Sequence, residues 1–414
     1  MTRALLSCAL LLAAATAAST ADSEASELFR KVRAKVLEDV SHVPRYTCVQ
    51  TINRAQYRPQ YGGRPANCRD LIAARKQLAS LGYLLSRDRV RLDVAIMDGA
   101  ETFSWAGARR FETSHVDDLV TSGTTGSGEF VSFLISIFGP DVNAISRLRP
   151  TLFAYSIPAE KSHYRYRTNG PERTAGYYGT FVVDAASAEL KRLTVETDDF
   201  PPEEAACSVK DTMDYHRVKI GNGDFLLPEV ATMDVLYNSG IESVNETRYS
   251  DCREYAGEST IRFDEGTTPA PSDAPPSPAP PAPAPPAPVK ISEPPRPLPS
   301  GLHFRIGLTS PIHSETAAAG DAITGVVLRD VKDRKLGVVA RKDDVVHGRI
   351  LQIEQRMFPL PHWTLAIRFD GLDHGGGEQA LSLEAANGGR GVFIFERSED
   401  IVIDQTFHSE WETR

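Results

Sequence analysis

Hydrophobic positions recur along this chain with two different periods, and the elements change where the period changes. In ASELFRKVRAKVLEDV, Leu28, Phe29, Val32, Val36 and Val40 share one stripe at helical spacing with charges opposite. That predicts an amphipathic helix, which Pro44 stops. A second helix is predicted over CRDLIAARKQLASLG, where Leu71, Ala74, Leu78 and Leu81 share a face and Gly82 can take the left-handed C-cap conformation. From Arg89 the period falls to two. In RVRLDVAIMDGAETFSW, Val90, Leu92, Val94 and Ile96 alternate with Arg89, Arg91 and Asp93, so one face is apolar and the other wet. The pair Asp98-Gly99 suits the positive φ of a type I′ hairpin turn. The same alternation in TLFAYSI, SHYRYR, GTFVVDAASAELKRLTVET, VKDTMDYHRVKIGNGDFLLPEVATMDVLYN and IESVNETRYSDCREY gives about ten antiparallel strands. GEFVSFLISIFGP, between a Gly/Ser/Thr loop and a Gly-Pro stop, predicts a short helix that is apolar nearly all round and therefore buried.

Toward the C-terminus, short β-forming runs from LHFRIGLTSPI to DIVIDQTF are separated by Gly, Asp and Asn turns, which predicts a small all-β barrel or sandwich. Between the two patterned regions, fifteen of the twenty-eight prolines fall in the thirty-one residues from Pro269 to Pro299. Each proline fixes φ and removes a backbone donor, and the Ala and Ser spacers cannot build a core, so an extended spacer is predicted there rather than a PxxP epitope. Fully extended, it would reach on the order of 95 Å. The expected organisation is a signal peptide over 1–21, an antiparallel domain over 22–265, a Pro/Ala-rich disordered linker over 266–300 and a small all-β domain over 301–414. The fold class is mainly β with a few helices, an α+β arrangement.

The signal peptide follows from the N-terminus, where one Arg precedes an apolar run from Ala4 to about Ala18 and then small residues. The run is too short to span a bilayer, and cleavage before Asp22 puts Ser19 and Ala21 at the small positions. Cys8 lies inside the apolar run, so LLSC is not read as a lipidation site. The expected location is periplasmic or secreted, with no transmembrane segment after cleavage. Four cysteines remain, Cys48, Cys68, Cys207 and Cys252, and in an exported chain they predict two disulfides. Loop entropy favours Cys48 with Cys68 and Cys207 with Cys252. A plain meander after Cys207 would instead hold Cys207 and Cys252 roughly 30 Å apart, so a crossed pairing stays open.

Charge and motifs mainly exclude. A formal net charge of −9 with no basic patch argues against nucleic acid. The cysteines form no CxxC and no clustered histidine lies near them, so no metal and no cofactor are expected. SGTTGSG, Ser122 to Gly128, lacks the strand and the GK[ST] ending of a phosphate cradle and reads as a hinge. GSGEF is no nucleophile elbow. DHGGGE, Asp373 to Glu378, could offer two carboxylates and an imidazole to a cation but reads first as a hairpin loop. Adjacent acids such as Asp117-Asp118 would point to opposite faces of a strand, and no two of the ten histidines stand at i, i+4. No catalytic residue is assigned and no enzyme is expected.

A leading amphipathic helix, a long antiparallel meander, an apolar helix in its middle and the hairpins GTFVVDAASAELKRL and DYHRVKIGNGDFLLPEV together resemble the periplasmic lipoprotein-carrier superfamily that includes LolA and the RseB/MucB sensors. The resemblance covers about residues 25–262. It implies an incomplete barrel whose concave face, plugged by helices, accepts acyl chains. Candidate cavity residues are Val90, Leu92, Val94 and Ile96, with Phe103, Trp105, Phe130 and Phe133, whose alternative is ordinary core packing. The resemblance further implies a non-enzymatic bacterial envelope protein that binds a lipid-like, lipoprotein or peptide ligand, with an envelope protein as a possible partner. An assembly adaptor without a small ligand is the alternative. The chain departs from the carriers in its four cysteines, the insert near residues 69–82 and the appended domain. In that domain, GDAITGVVLRDV followed by KDDVVHGRI loosely resembles small barrels of the TrbI type.

Overall fold

The computed structural model describes residues 26–61, 63, 65–97, 99–108, 110–139, 145–167, 171–255, 298–385 and 391–414. The predicted signal segment, Asp98 and nearly all of the Pro-rich run lie outside them. The first half contains helix α1 (26–42), β1 (Tyr46–Arg58), α2 (Cys68–Arg75), β2 (Tyr83–Met97), β3 (Ala100–Trp105), α3 (Ser132–Phe138), β4 (Ile145–Arg149) and β5 (Leu152–Ile157). A short pair, β6 (Arg165–Tyr166) and β7 (Arg173–Thr174), precedes β8 (Tyr177–Val183), β9 (Leu190–Thr197), β10 (Ala206–Ile220), β11 (Gly223–Tyr237) and β12 (Glu242–Glu254). Ten of these strands pair antiparallel in the order β3-β2-β1-β12-β11-β10-β9-β8-β5-β4. Among the described residues no ladder joins β3 to β4, and the sheet forms an incomplete barrel; its ten antiparallel strands are those that the alternation predicts.

Alternation decides what faces inward. Cys48, Ile52, Leu92, Val94, Phe103, Phe181, Leu193 and Met213 all bury on the concave side. The predicted stripe of α1 packs onto them: Val32 and Val36 are fully buried, and Phe29 sets its ring 6.1 Å from Phe153 and 6.2 Å from Phe181. α3 contributes Phe133, Leu134, Ile137 and Phe138. The helices are tied down by polar contacts as well. Arg33 donates to the carbonyls of Phe138 and Gly139 at the end of α3, and Arg217 on β10 pairs with Asp39 of α1 at 2.7 Å.

Two expectations need correction. α2 ends at Arg75 rather than running to Leu81, because the Arg75 side chain turns to Glu242 and to the Leu78 carbonyl, and only Leu71 of the predicted face is buried. Gly82 does take a positive φ of 85°, but it does so where the chain presses against the Arg58 carbonyl before β2, not as a helix cap. The disulfides join Cys48 to Cys252 and Cys68 to Cys207. The sequence-local pairing fails because β1 lies beside β12, the last strand of the half, which brings Cys48 and Cys252 to a Cα separation of 4.1 Å. Cys68 opens α2, which rests on β10 and β11 through Leu71, Cys207 and Leu236.

The second half comprises β13 (His303–Leu308), β14 (Ile312–His313), β15 (Ala322–Val327), β16 (Val331–Asp333), β17 (Gly337–Ala340), β18 (Val345–Arg356), β19 (His362–His374), β20 (Gly377–Ala380), β21 (Leu383–Ala385), β22 (Val392–Phe395), β23 (Val402–Ile403) and β24 (His408–Thr413). Its own core gathers Phe304, Leu365, Phe369 and Trp411, the last two ring to edge at 5.4 Å. The DHGGGE stretch is the tight β19–β20 hairpin, with His374 bonded to Asp344 and His347 to Asp373. Among the described residues no helix is long and apolar enough to cross a membrane.

The halves are not merely strung together. β3 is so short that it covers only Leu92–Met97 of β2, and the exposed remainder of that edge is taken by the second half. Ala319 exchanges backbone hydrogen bonds with Arg89 and Arg91 at 2.8 and 2.7 Å, β18 pairs Glu354–Arg356 with Ser86–Asp88, and Met357 donates to the Leu85 carbonyl. A sheet edge left bare is a template for aggregation, and here it is filled within the chain. The ladder therefore runs through both halves as one sheet of eighteen strands. Arg89 and Arg91, predicted to face water, do the holding together with Arg87. Arg87 reaches Gln355 and Asp400, Arg89 reaches the Glu315 carbonyl, and Arg91 pairs with Asp321.

Candidate functional site

The eight apolar residues predicted to line a cavity come together on the concave face and under α3, but they are packed rather than exposed to an opening. Leu92 and Val94 are 0% exposed, Phe103 1%, and Trp105, the most open, 9%. Phe130 stacks edge-on against Tyr249 at 4.7 Å and Phe133 against Tyr177 at 6.1 Å. The apolar floor of the half-barrel is closed by α1 and α3.

The other end of the concave face is polar, and sequence reading missed it. Arg54 on β1, Asp88 on β2, Asp211 on β10, and Asn245 and Thr247 on β12 mark it out along the sheet, while Glu101 on β3 stands level with Ile96 at the opposite end. The Gly-rich loop Ser122–Gly128 lies over these positions and leads into Phe130 and α3. It is held by its backbone. Arg54 forks onto Asp88 and donates to the Ser122 carbonyl at 2.6 Å, while Asn245 Nδ2 donates to the Thr124 carbonyl at 2.9 Å. Thr124 bonds the Tyr237 hydroxyl at 2.7 Å, Tyr215 donates to the Glu129 carbonyl at 2.8 Å, and Glu101 accepts from the amides of Gly128 and Phe130. Gly123 has a φ of 75°, and a Cβ there would meet the Arg54 guanidinium at 2.8 Å, so the close seat of the loop needs glycine. The segment predicted as a hinge is a plug. The signal was present in TCVQTINRA: Gln50 and Arg54 have the same parity as Cys48 and Ile52, which puts two polar side chains on the buried face.

Beneath the plug lies an internal space of about 10 Å³, lined by Ile52, Gly126, Glu129, Asp211, Ala231, Met233, Asn245 and Thr247. Burial, together with the charges of Glu101 and Asp211, pushes Glu129 up to about 8. Burial and the charge of Asp234 push Asp211 up to about 7. Burial also raises Glu101, against the two amides that it accepts. A larger polar cleft of about 330 Å³ opens where the plug, the ends of β1 and β2, and β18 meet, bordered by Arg54, Arg58, Asp88, Glu354, Arg356 and Phe358. Phe358 stands exposed at its border.

No protein-family model matches the chain, and no curated protein sequence matches it. Among solved structures it is similar to the crystal structure of a LolA superfamily protein from Nitrosomonas europaea, at 10% identity over 54% of this chain and 93% of that one, with a TM-score of 0.21. A score that low carries no argument, and the incomplete barrel described here rests on its own strand pairings.

Proposed function

We propose that the first half is a non-enzymatic binding module of an exported bacterial envelope protein, whose plug and α3 lift to admit an acyl chain, as of a lipid or lipoprotein, to the concave face. The observation that carries this reading is the way the face is closed. The sheet stops short of a barrel, and an apolar floor is sealed by two helices and a backbone-held loop, elements that can move without breaking a strand ladder. Each CH₂ moved from water onto that floor would gain about 0.8 kcal/mol. Export is supported by two disulfides, which persist in oxidising compartments.

The test is uptake of a fluorescent fatty acid by the delipidated full-length protein, compared with Glu101→Ala, which frees two amides of the plug. Saturable uptake that is several-fold faster in Glu101→Ala is the expected result. Absence of uptake by both proteins removes the acyl-chain reading. The second reading, an assembly adaptor with no small ligand, would then stand, and it is favoured by the close packing of Leu92, Val94 and Phe103.

A further inference from the structure

The space beneath the plug is bordered by oxygen acceptors without matching donors. Glu129 directly follows the plug, Asp211 comes from β10, and Asn245 and Thr247 come from β12. Among the described residues neither Glu129 nor Asp211 has an ion-pair partner, and no Lys, Arg or His lines the space. Asn245 is 3% exposed, and the bond from its Nδ2 to the Thr124 carbonyl fixes which way its amide points. That leaves its Oδ1 buried with no hydrogen-bond partner. A buried amide oxygen without a donor is costly, and two half-buried carboxylates facing the same space without a counter-charge repel each other.

An occupant that answers all of these groups must be small and positive. Room for about one water-sized body suits a single ion. Two carboxylates, an amide oxygen and a hydroxyl favour a hard cation, with the Met233 thioether the one soft group of the lining. Their combined charge of two matches a divalent ion, and an irregular set drawn from three elements suits calcium, which tolerates variable geometry, better than magnesium, which demands a near-ideal octahedron.

We propose that Glu129, Asp211, Asn245 and Thr247 form a binding site for one calcium ion, which clamps the plug to strands β10 and β12. The site stands whether or not an acyl chain binds, since its ligands lie at the polar end of the face.

The experiment is equilibrium dialysis of the full-length, chelator-treated protein against calcium chloride, with thermal unfolding followed in parallel, for wild type, Asp211→Asn and Glu129→Gln. One calcium per chain and a saturable rise in melting temperature are expected for the wild type. Each variant should bind at least tenfold more weakly, while its metal-free melting temperature equals or exceeds that of the wild type. That last readout separates loss of a ligand from loss of the fold. Absence of saturable binding up to 1 mM, equal binding by the variants, or an equal shift produced by sodium alone would overturn the assignment.

Discussion

Gly320, in the second half, lies directly against Trp105 and the Arg91 carbonyl of the first: a Cβ at this position would stand 2.9 Å from Trp105 Cε3 and 2.0 Å from the Arg91 oxygen. Its φ of 104° is one that other residues adopt only under strain. The turn that carries it also delivers Ala319 to the edge of β2. Gly320→Ala should therefore weaken the junction by at least about 2 kcal/mol, from strain and clash together. Calorimetry should show one transition for the wild type and two for the variant. A single unshifted transition in Gly320→Ala would show that the turn does not join the halves.

Much of this arrangement follows from patterns visible in the chain, and the rest does not for a physical reason. The stripe Leu28, Phe29, Val32, Val36 and Val40 marks α1 because a helix buries one face, and Val90 to Ile96 mark β2 because a strand does the same. Alternation says nothing about what covers the opposite face, which is why Arg89 and Arg91 read as solvated while they hold the second half. Nor does it report partners distant in sequence. The neighbour of β1 is β12, nearly two hundred residues away, and the disulfides follow that neighbour. The polar end of the concave face was hidden for a related reason: Asp88, Asp211 and Asn245 have the parity of buried positions, but only the plug explains why they are there.

Non-reducing peptide mapping should recover Cys48 linked to Cys252 and Cys68 linked to Cys207. Replacing Cys48 and Cys252 together by Ala should cost up to about 4 kcal/mol in denaturant unfolding, given the long loop that this bridge closes. Recovery of Cys48 linked to Cys68 would contradict the placement of β1 beside β12.

The seating of α1 should depend on pH. Hydrogen bonds from Lys35, Lys191 and Arg217 hold Glu189 down at about 2, below the ordinary 4.5. A depressed carboxylate contributes stability that is complete above the ordinary value and is lost as pH falls from about 4.5 toward 2. The side chain, just before β9, is 18% exposed, so after solvent screening the contribution is about 1 kcal/mol. Glu189→Gln should be less stable than wild type at pH 7 and approach it below pH 3, as read from urea midpoints at each pH. A constant difference across that range would place the stabilisation elsewhere.

The backbone pairing of Ser86–Asp88 with Glu354–Arg356 also sets how firmly the molecule stays shut. Because residues 256–297 join Tyr255 to Leu298 covalently, each half meets the other at an effective concentration on the order of millimolar. A junction whose separate pieces bound with a dissociation constant of about 10 μM would then be open in only about 1% of molecules, and cutting the connection would release it at nanomolar protein. The connection thus turns a modest contact into a nearly permanent one, and a competitor for the β2 edge must outbid a partner that never diffuses away.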